Sequence, residues 1–307
     1  MANKVLITGG AGFIGSHLVE GFLNKNYVVR VIDNFSTGNI NNLKQFKNDI
    51  ELIEGDIRSY HTVMKAVKNI DFVLHQAALP SVPRSIYDPI TTNEVNISGT
   101  LNLLWASAEN RVEKFLFASS SSIYGNSEVL PKREIMHPNP MSPYAVTKLT
   151  CENYCRIYSS IYKLKTVCIR YFNVFGPRQN PFSQYSAVIP KFIEAVKNSI
   201  PPTIYGDGTQ SRDFTFVKNI VNANILAIEK STDDNLIMNC ACNEQITLND
   251  LVDQLNKLLN KNIEPIYANE RPGDIKHSCA DIKLAKEKIG YIPEVFFNEG
   301  LINTINY

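Results

Sequence analysis

Four consecutive serines, Ser119 to Ser122 in "ASSSSIYG", close an apolar run, and "MSPYAVTKLTCE" follows with Tyr144 and Lys148 four residues apart. Hydroxyls are poor acid–base groups unless a base stands nearby. A phenol beside an ammonium can be that base, because the positive charge favours tyrosinate and lowers its pKa. A spacing of four places both groups on one helix face. Ser142 and Pro143 read as the cap and first turn of that helix. Ser120, ending a strand, is then placed to relay or orient a proton between Tyr144 and a substrate hydroxyl. Ser121 and Ser122 offer further hydrogen bonds, and Ser119 reads as a turn cap.

A second constellation lies upstream. "TGGAGFIGSHL" (8–18) places Gly10, Gly12 and Gly15 in a G-x-G-x-x-G pattern, overlapped by Gly9, Gly12 and Gly15. Such glycines let the backbone turn tightly and approach a pyrophosphate, whose charge then faces a helix N-terminus. The pattern alone is common. Between a strand and a helix, with Asp33 closing the next strand, it points to a dinucleotide. Asp33 suits a ribose diol and repels a 2′-phosphate, and "NFSTGN" (34–39) holds no Arg or Lys to neutralise one, so NAD is expected over NADP. Arg30, at an alternating strand position, is expected to point away. Asp56 has two readings, an adenine contact or a turn-forming Asp.

The elements that must position these groups are legible as apolar, β-branched runs at 4–8, 27–33, 50–56, 71–78, 114–120 and 165–172. They read as strands buried on both faces, with crossover helices over stretches such as 87–110 and 142–163. This pattern predicts an α/β fold, a Rossmann-like doubly wound parallel sheet. Beyond about residue 175 loops increase and elements shorten. The expected division is a cofactor domain over 1–174, with 213–240 returning to it, and a smaller α/β substrate region over 175–307.

Composition sets the outer bounds. The 307 residues are 44% hydrophobic and 20% charged with a net charge of +1, which suggests neither a nucleic-acid nor a membrane partner. No apolar stretch approaches the ~18 residues a bilayer requires, and "MANKVLITGG" carries no signal-peptide pattern. Cys151, Cys155, Cys168, Cys240, Cys242 and Cys279 form no complete metal set and read as small buried hydrophobes in a reducing, cytoplasmic setting.

These motifs, with "DNFSTG", "GDIR", "HQAALPSVPRS", "RYFNVFGPRQ", "GDGTQSRDF" and "RPGD", extend over nearly the whole chain. Together they resemble the extended short-chain dehydrogenase/reductases and, among these, the UDP-hexose 4-epimerases, most of all those acting on UDP-N-acetylglucosamine. The resemblance implies catalytic roles for Ser120, Tyr144 and Lys148. It implies cofactor contacts from Gly9, Gly12, Phe13, Ile14, Gly15, Asp33, Asn34, Gly38, Asp56, Ile57, Gln76, Ala77, Ala78, Asn96 and Tyr171, besides Tyr144 and Lys148. Substrate contacts would come from Ser81, Ser120, Ser121, Ser122, Tyr144, Asn173, Val188, Tyr205, Arg212, Arg271, Asp274 and Ser278. Asn173, Arg212 and Arg271 would hold the diphosphate, a role guanidinium also suits on first principles. Related 4,6-dehydratases carry an Asp-Glu pair where this chain has Ser121 and Ser122, so elimination of water is not expected. The resemblance further implies a homodimer pairing through 87–110 and 142–163.

Seven residues after Arg271, epimerases confined to UDP-glucose and UDP-galactose resemble one another in carrying a bulky Tyr. Ser278 stands there instead and leaves room for an N-acetyl group. Three further readings stay open: a UDP-glucose 4-epimerase, a UDP-glucuronate 4-epimerase favoured by Arg84, and a non-enzymatic NAD-binding sensor on the same fold.

Overall fold

Each apolar run becomes a strand of one parallel sheet, and a seventh strand joins them. The computed structural model describes residues 2–182, 187–270 and 276–307. The strands are β1 (Lys4–Thr8), β2 (Val28–Asp33), β3 (Ile50–Glu54), β4 (Phe72–His75), β5 (Lys114–Ser120), β6 (Lys165–Tyr171) and β7 (Asn235–Cys240). Their spatial order is 7-6-5-4-1-2-3. This is the Rossmann-like doubly wound fold, and the order reverses between β1 and β4, opening a crevice at the carboxyl edge.

Alternation along the strands divides the core. Val5, Ile7, Val29 and Val31 face one layer, which includes α1 (Phe13–Asn24) and the helix Val217–Lys230. Leu6, Ile32 and Val73 face the other, with the helices Tyr60–Val67, Gly99–Glu109 and Pro143–Tyr162. Two expectations need correction here. β3 is not buried on both faces: it is the sheet edge, and Glu51, Leu52 and Glu54 are exposed. The stretch 87–110 is not one helix. Asp88 accepts the Thr91 N–H and, with Pro89, starts a new helix (Pro89–Asn93), a π-turn follows over Glu94–Ser98, and only then comes Gly99–Glu109.

The helix Val217–Lys230 crosses α1 so closely that a Cβ on Gly21 would lie 2.4 Å from Val221. Its C-terminal carbonyls receive an ammonium from the sheet: Lys114 Nζ donates to Ala227, Ile228 and Ser231 oxygens at 2.9, 2.5 and 3.0 Å. That cation complements the negative end of the helix dipole.

The rest of the chain is built differently. Its strands are two- and three-residue pairs: Val174–Phe175 with Thr215–Phe216, Ser211–Arg212 with Ile246–Thr247, and Thr203–Tyr205 with Ile266–Ala268. The helices Val188–Lys197 and Leu248–Leu259 close a separate apolar cluster around Phe175, Phe192, Phe214 and Phe216. Asp213 holds these short pieces together. Its buried carboxylate accepts backbone N–H groups of Cys242, Asn243 and Ala280 at 3.0, 3.1 and 3.0 Å.

Candidate active site

The chemistry gathers where β5 meets the helix Pro143–Tyr162. Ser142 Oγ accepts the Ala145 N–H at 3.2 Å and Pro143 occupies the first turn, as the sequence predicts; such a cap contributes about 1 kcal/mol. Tyr144 and Lys148 then point at the strand end. Lys148 is buried, and its Nζ donates to the Ala118 carbonyl at 2.7 Å, lying 5.7 Å from the Tyr144 ring centroid. Ser120 lies beside the Tyr144 phenol and favours its ionised form, and its Oγ accepts the Ser122 N–H at 3.2 Å. The turn cap expected of Ser119 thus falls to Ser120. Ser120 caps the turn Ser121–Tyr124, while Ser119 Oγ donates to Glu152 at 2.6 Å.

Electrostatics also differ from the sequence reading. Burial pushes Tyr144 up to about 12, and the Ser120 hydrogen bond only partly opposes this. Burial lowers Lys148 to about 8, with the charges of Cys151 and Glu152 working against it. In the bare protein desolvation therefore outweighs the neighbouring ammonium at the phenol.

A cavity of about 700 Å³ runs along the carboxyl edge of the sheet from Asp33 to Tyr171. Gly9, Gly12, Phe13, Ile14, Gly15, Asn34, Gly38, Asp56, Ile57, Gln76, Ala77 and Ala78 line it, with Ser81, Arg84, Tyr144 and Lys148 at the chemical end. A second cavity of about 310 Å³ is lined by Asn173, Val188, Tyr205 and Arg212, and shares Val174 and Ala187 with the first. Arg212 Nη1 donates to the Ser211 and Lys276 carbonyls at 2.9 and 3.1 Å. Ser120, Ser121, Ser122 and Ser278 line neither cavity, whereas Ser119 lines the larger one. Ser278 is buried, its N–H donating to Ser211 O at 3.1 Å. Arg271 and Asp274 lie outside the described residues.

Asn96 does not line the cavity either. It sits in the π-turn behind it, accepting the Leu79 N–H at 2.8 Å and donating to Thr147 Oγ1 at 3.1 Å. That links the loop after β4 to the helix Pro143–Tyr162. A buried histidine reinforces the same loop. Thr100 Oγ1 donates to Asn96 O, so it accepts from His75 Nε2, and Nδ1 accepts from Thr8, whose oxygen takes the Ala77 N–H. His75 is therefore the neutral Nε2–H tautomer, and burial holds it down at about 3.

Sequence reasoning missed several residues. Gln179 and Asn180 line the larger cavity, and their segment is pinned to α1 by His17, which donates to Pro177 O at 2.9 Å, and by the Arg178–Glu20 ion pair. The "GPRQ" motif was the available signal. Arg30 points away from the cavity, bonding Glu51, Ala66 O and Lys68 O.

The model of the NAD dependent epimerase/dehydratase family matches residues 5–241. The chain belongs to that family. It is 35% identical over 305 residues to a protein of Methanocaldococcus jannaschii named putative UDP-glucose 4-epimerase, covering 99% of this chain and 97% of that one. Among solved structures, UDP-N-acetylglucosamine 4-epimerase from Methanobrevibacter ruminantium, in complex with UDP-N-acetylmuramic acid, superposes with a TM-score of 0.94 at 43% identity, covering 100% and 98% of the two chains. The UDP-glucuronic acid 4-epimerase of Bacillus cereus, in complex with UDP-glucuronic acid and NAD, gives 0.91 at 33%, covering 99% and 98%.

NAD is the cofactor of this epimerase/dehydratase, and the cavity fits it. α1 begins at Gly12 with no side-chain cap, leaving its first N–H groups for a pyrophosphate. The approach is open only because side chains are absent: a Cβ on Gly15 would lie 2.1 Å from Gly9 O. Asp33 is held by the Ala11 and Phe35 N–H groups at 2.9 and 2.8 Å. Gln179 carries a buried Oε1 with no partner among the described residues. Asp56 lines the cavity too, but its carboxylate is engaged by Arg58 and Asn34, which hold it down at about 2. Among the described residues no cluster could hold a metal, and no helix is long and apolar enough to cross a membrane.

Proposed function

We propose that the protein interconverts UDP-N-acetylglucosamine and UDP-N-acetylgalactosamine, and UDP-glucose and UDP-galactose besides, through a transient 4-keto sugar. The coarser statement, an NAD-dependent UDP-sugar 4-epimerase, stands on the family and on relatives named for that activity. The observation that carries the rest is the convergence of Tyr144, Lys148 and Ser120 where the helix Pro143–Tyr162 meets the end of β5, beside a cavity end that holds no carboxylate among the described residues: Asp33 and Asp56 lie at the other end. Tyr144 takes the proton of the sugar 4-hydroxyl, Ser120 orients it, and Lys148 holds positive charge behind the phenol. NAD held by the glycine loop and Asp33 would supply the hydride acceptor and donor, and its positive nicotinamide would favour the Tyr144 phenolate. Asn173 and Arg212 anchor the diphosphate while the sugar turns, with Arg271 assigned alongside them. Ser81 lines the chemical end and faces the sugar, whereas Ser121, Ser122 and Ser278 line neither cavity, and their contacts to the sugar, with Ser278 at its C2 substituent, are part of this proposal.

Residues 1–174 with 213–240 form the cofactor part and 175–307 the nucleotide-sugar part of this reading. A homodimer belongs to it as well, since Ile86, Tyr87, Ile90, Ile157 and Ile161 expose a large apolar surface on the helices around 82–109 and 143–162. Arg84, lining the chemical end, favours a second reading, a UDP-glucuronate 4-epimerase. One experiment separates them. Purified protein is incubated with each UDP-sugar, without added NAD, and the 4-epimers are resolved. Turnover of the N-acetylated pair is expected. Turnover confined to UDP-glucuronate, or to the plain hexoses, overturns the donor assignment.

A further inference from the structure

Tyr144, Lys148 and Glu152 follow at four-residue intervals along one helix and form a single stripe. Each meets the end of β5. Tyr144 lies beside Ser120, Lys148 donates to Ala118 O at 2.7 Å, and Glu152 accepts from Ser119 Oγ at 2.6 Å. Arg170 on β6 is the cross-strand neighbour of Ser119 and grips Glu152 with two bonds, Nε to Oε1 at 2.9 Å and Nη2 to Oε2 at 2.8 Å. Its Nη1 donates to the Tyr124 hydroxyl at 2.8 Å, which donates to Asn239 at 2.7 Å.

Ser119, Glu152 and Arg170 are each at most 3% exposed. A buried ion pair is a poor way to gain stability, because desolvation offsets the Coulomb attraction and apolar side chains of similar volume serve as well. Full charges placed one helical turn below Lys148 therefore need another explanation. We propose that Glu152 and Arg170 are positioning residues for the epimerisation: they lock the Tyr144–Lys148 helix in register with Ser120 and set the field in which phenol and ammonium exchange protons. The proposal rests on the assignment of Tyr144 and Lys148 above.

Few charges face this corner. Lys148 has Cys151 and Glu152 on its own helix and His75 on β4; Arg170 has Cys168 beside it, with Tyr124 and Glu134 from the segment after β5. His75 is held down at about 3, Cys151 and Tyr124 are pushed up to about 11 and 12, and Cys168 lies well above the usual thiol. The charged groups nearest the Glu152–Arg170 ion pair are Lys148 and Glu134.

The test is the pH profile of kcat/KM, taken with any UDP-hexose the unmodified protein turns over. A wrong sugar assignment then leaves the readout intact, and loss of the Tyr144 assignment would show separately in Tyr144→Phe. Glu152→Gln leaves the Arg170 charge unopposed, which favours tyrosinate and disfavours the Lys148 ammonium. Both limbs should move to lower pH by about one unit. Arg170→Gln should move both the other way. Arg170→Lys and Ser119→Ala change no charge, so their profiles stay in place while kcat falls about three- to tenfold and KM holds within about twofold. Shifts of the same sign in the two charge variants, or no shift, overturn the proposal. Where a charge variant fails to fold, the charge-retaining pair decides: an unchanged kcat in both overturns it.

Discussion

The two halves of the cleft solve the same problem by different means. On the cofactor side, one seven-stranded sheet brings the ends of β1 to β6 to a common edge, and the cavity-lining residues cluster on or just beyond those ends, with Tyr144 and Lys148 on the helix packed against β5. On the side proposed for the nucleotide sugar no strand pair among the described residues exceeds three residues, and a single buried carboxylate, Asp213, at the point where the chain returns towards the sheet, ties three separate backbone segments together. A continuous sheet fixes positions through many shared hydrogen bonds, whereas short pairs depend on individual side chains. The cofactor side suits proton and hydride chemistry, which needs sub-ångström placement, and the sugar side suits selection among substrates.

The sharpest break between the halves should come from Tyr144→Phe. It removes only the ionisable oxygen, on the cofactor side, so kcat should fall ~10²–10⁴-fold. UDP-sugar affinity, measured by calorimetry, and co-purified NAD, measured after denaturation, should remain. A near-normal rate would place the base elsewhere.

A smaller effect is expected on the other side. Ser278→Tyr should lower kcat/KM for the N-acetylated pair about tenfold or more through a steric clash, with the plain hexoses little changed. The ratio of the two substrates in competition assays reads this directly. Equal losses on both would mean that Ser278 does not face the C2 substituent.

The mildest contrast lies in stability against pH. Burial lowers His75 from 6.5 to about 3 on the cofactor side, so the unfolded chain binds the extra proton and stability drains away as pH falls from 6.5 towards 3. Asp213 has the opposite sign. Burial raises it from 3.8 to about 6, so its contribution is complete below 3.8 and is lost as pH rises through about 6. Between pH 7 and 5, His75→Asn should therefore shrink the acid-side loss of Tm and Asp213→Asn should enlarge it, each by a few degrees. Thermal melts at the two pH values check both, and matching changes in the two variants would remove the contrast.

The sequence by itself determined whatever is written in local spacing. The glycine loop opening α1, the Ser142 cap, the Tyr144–Lys148 stripe and six of the seven sheet strands were legible because turns, caps and side-chain periodicity are decided within a few residues. Tertiary structure decided the rest. Glu152 lies 33 residues from Ser119 and 18 from Arg170, and Asp213 lies 67 from Ala280, so nothing in their neighbourhoods announces the partners. The same holds for Asn96. Only the packed structure shows that it braces the loop after β4 from behind the cavity. That Ser120 rather than Ser119 caps the following turn also waited on the fold, because the Ser119 hydroxyl is taken by Glu152, 33 residues away. The Tyr144 pKa turned on burial, and burial is a property of the assembled core rather than of any stretch of chain.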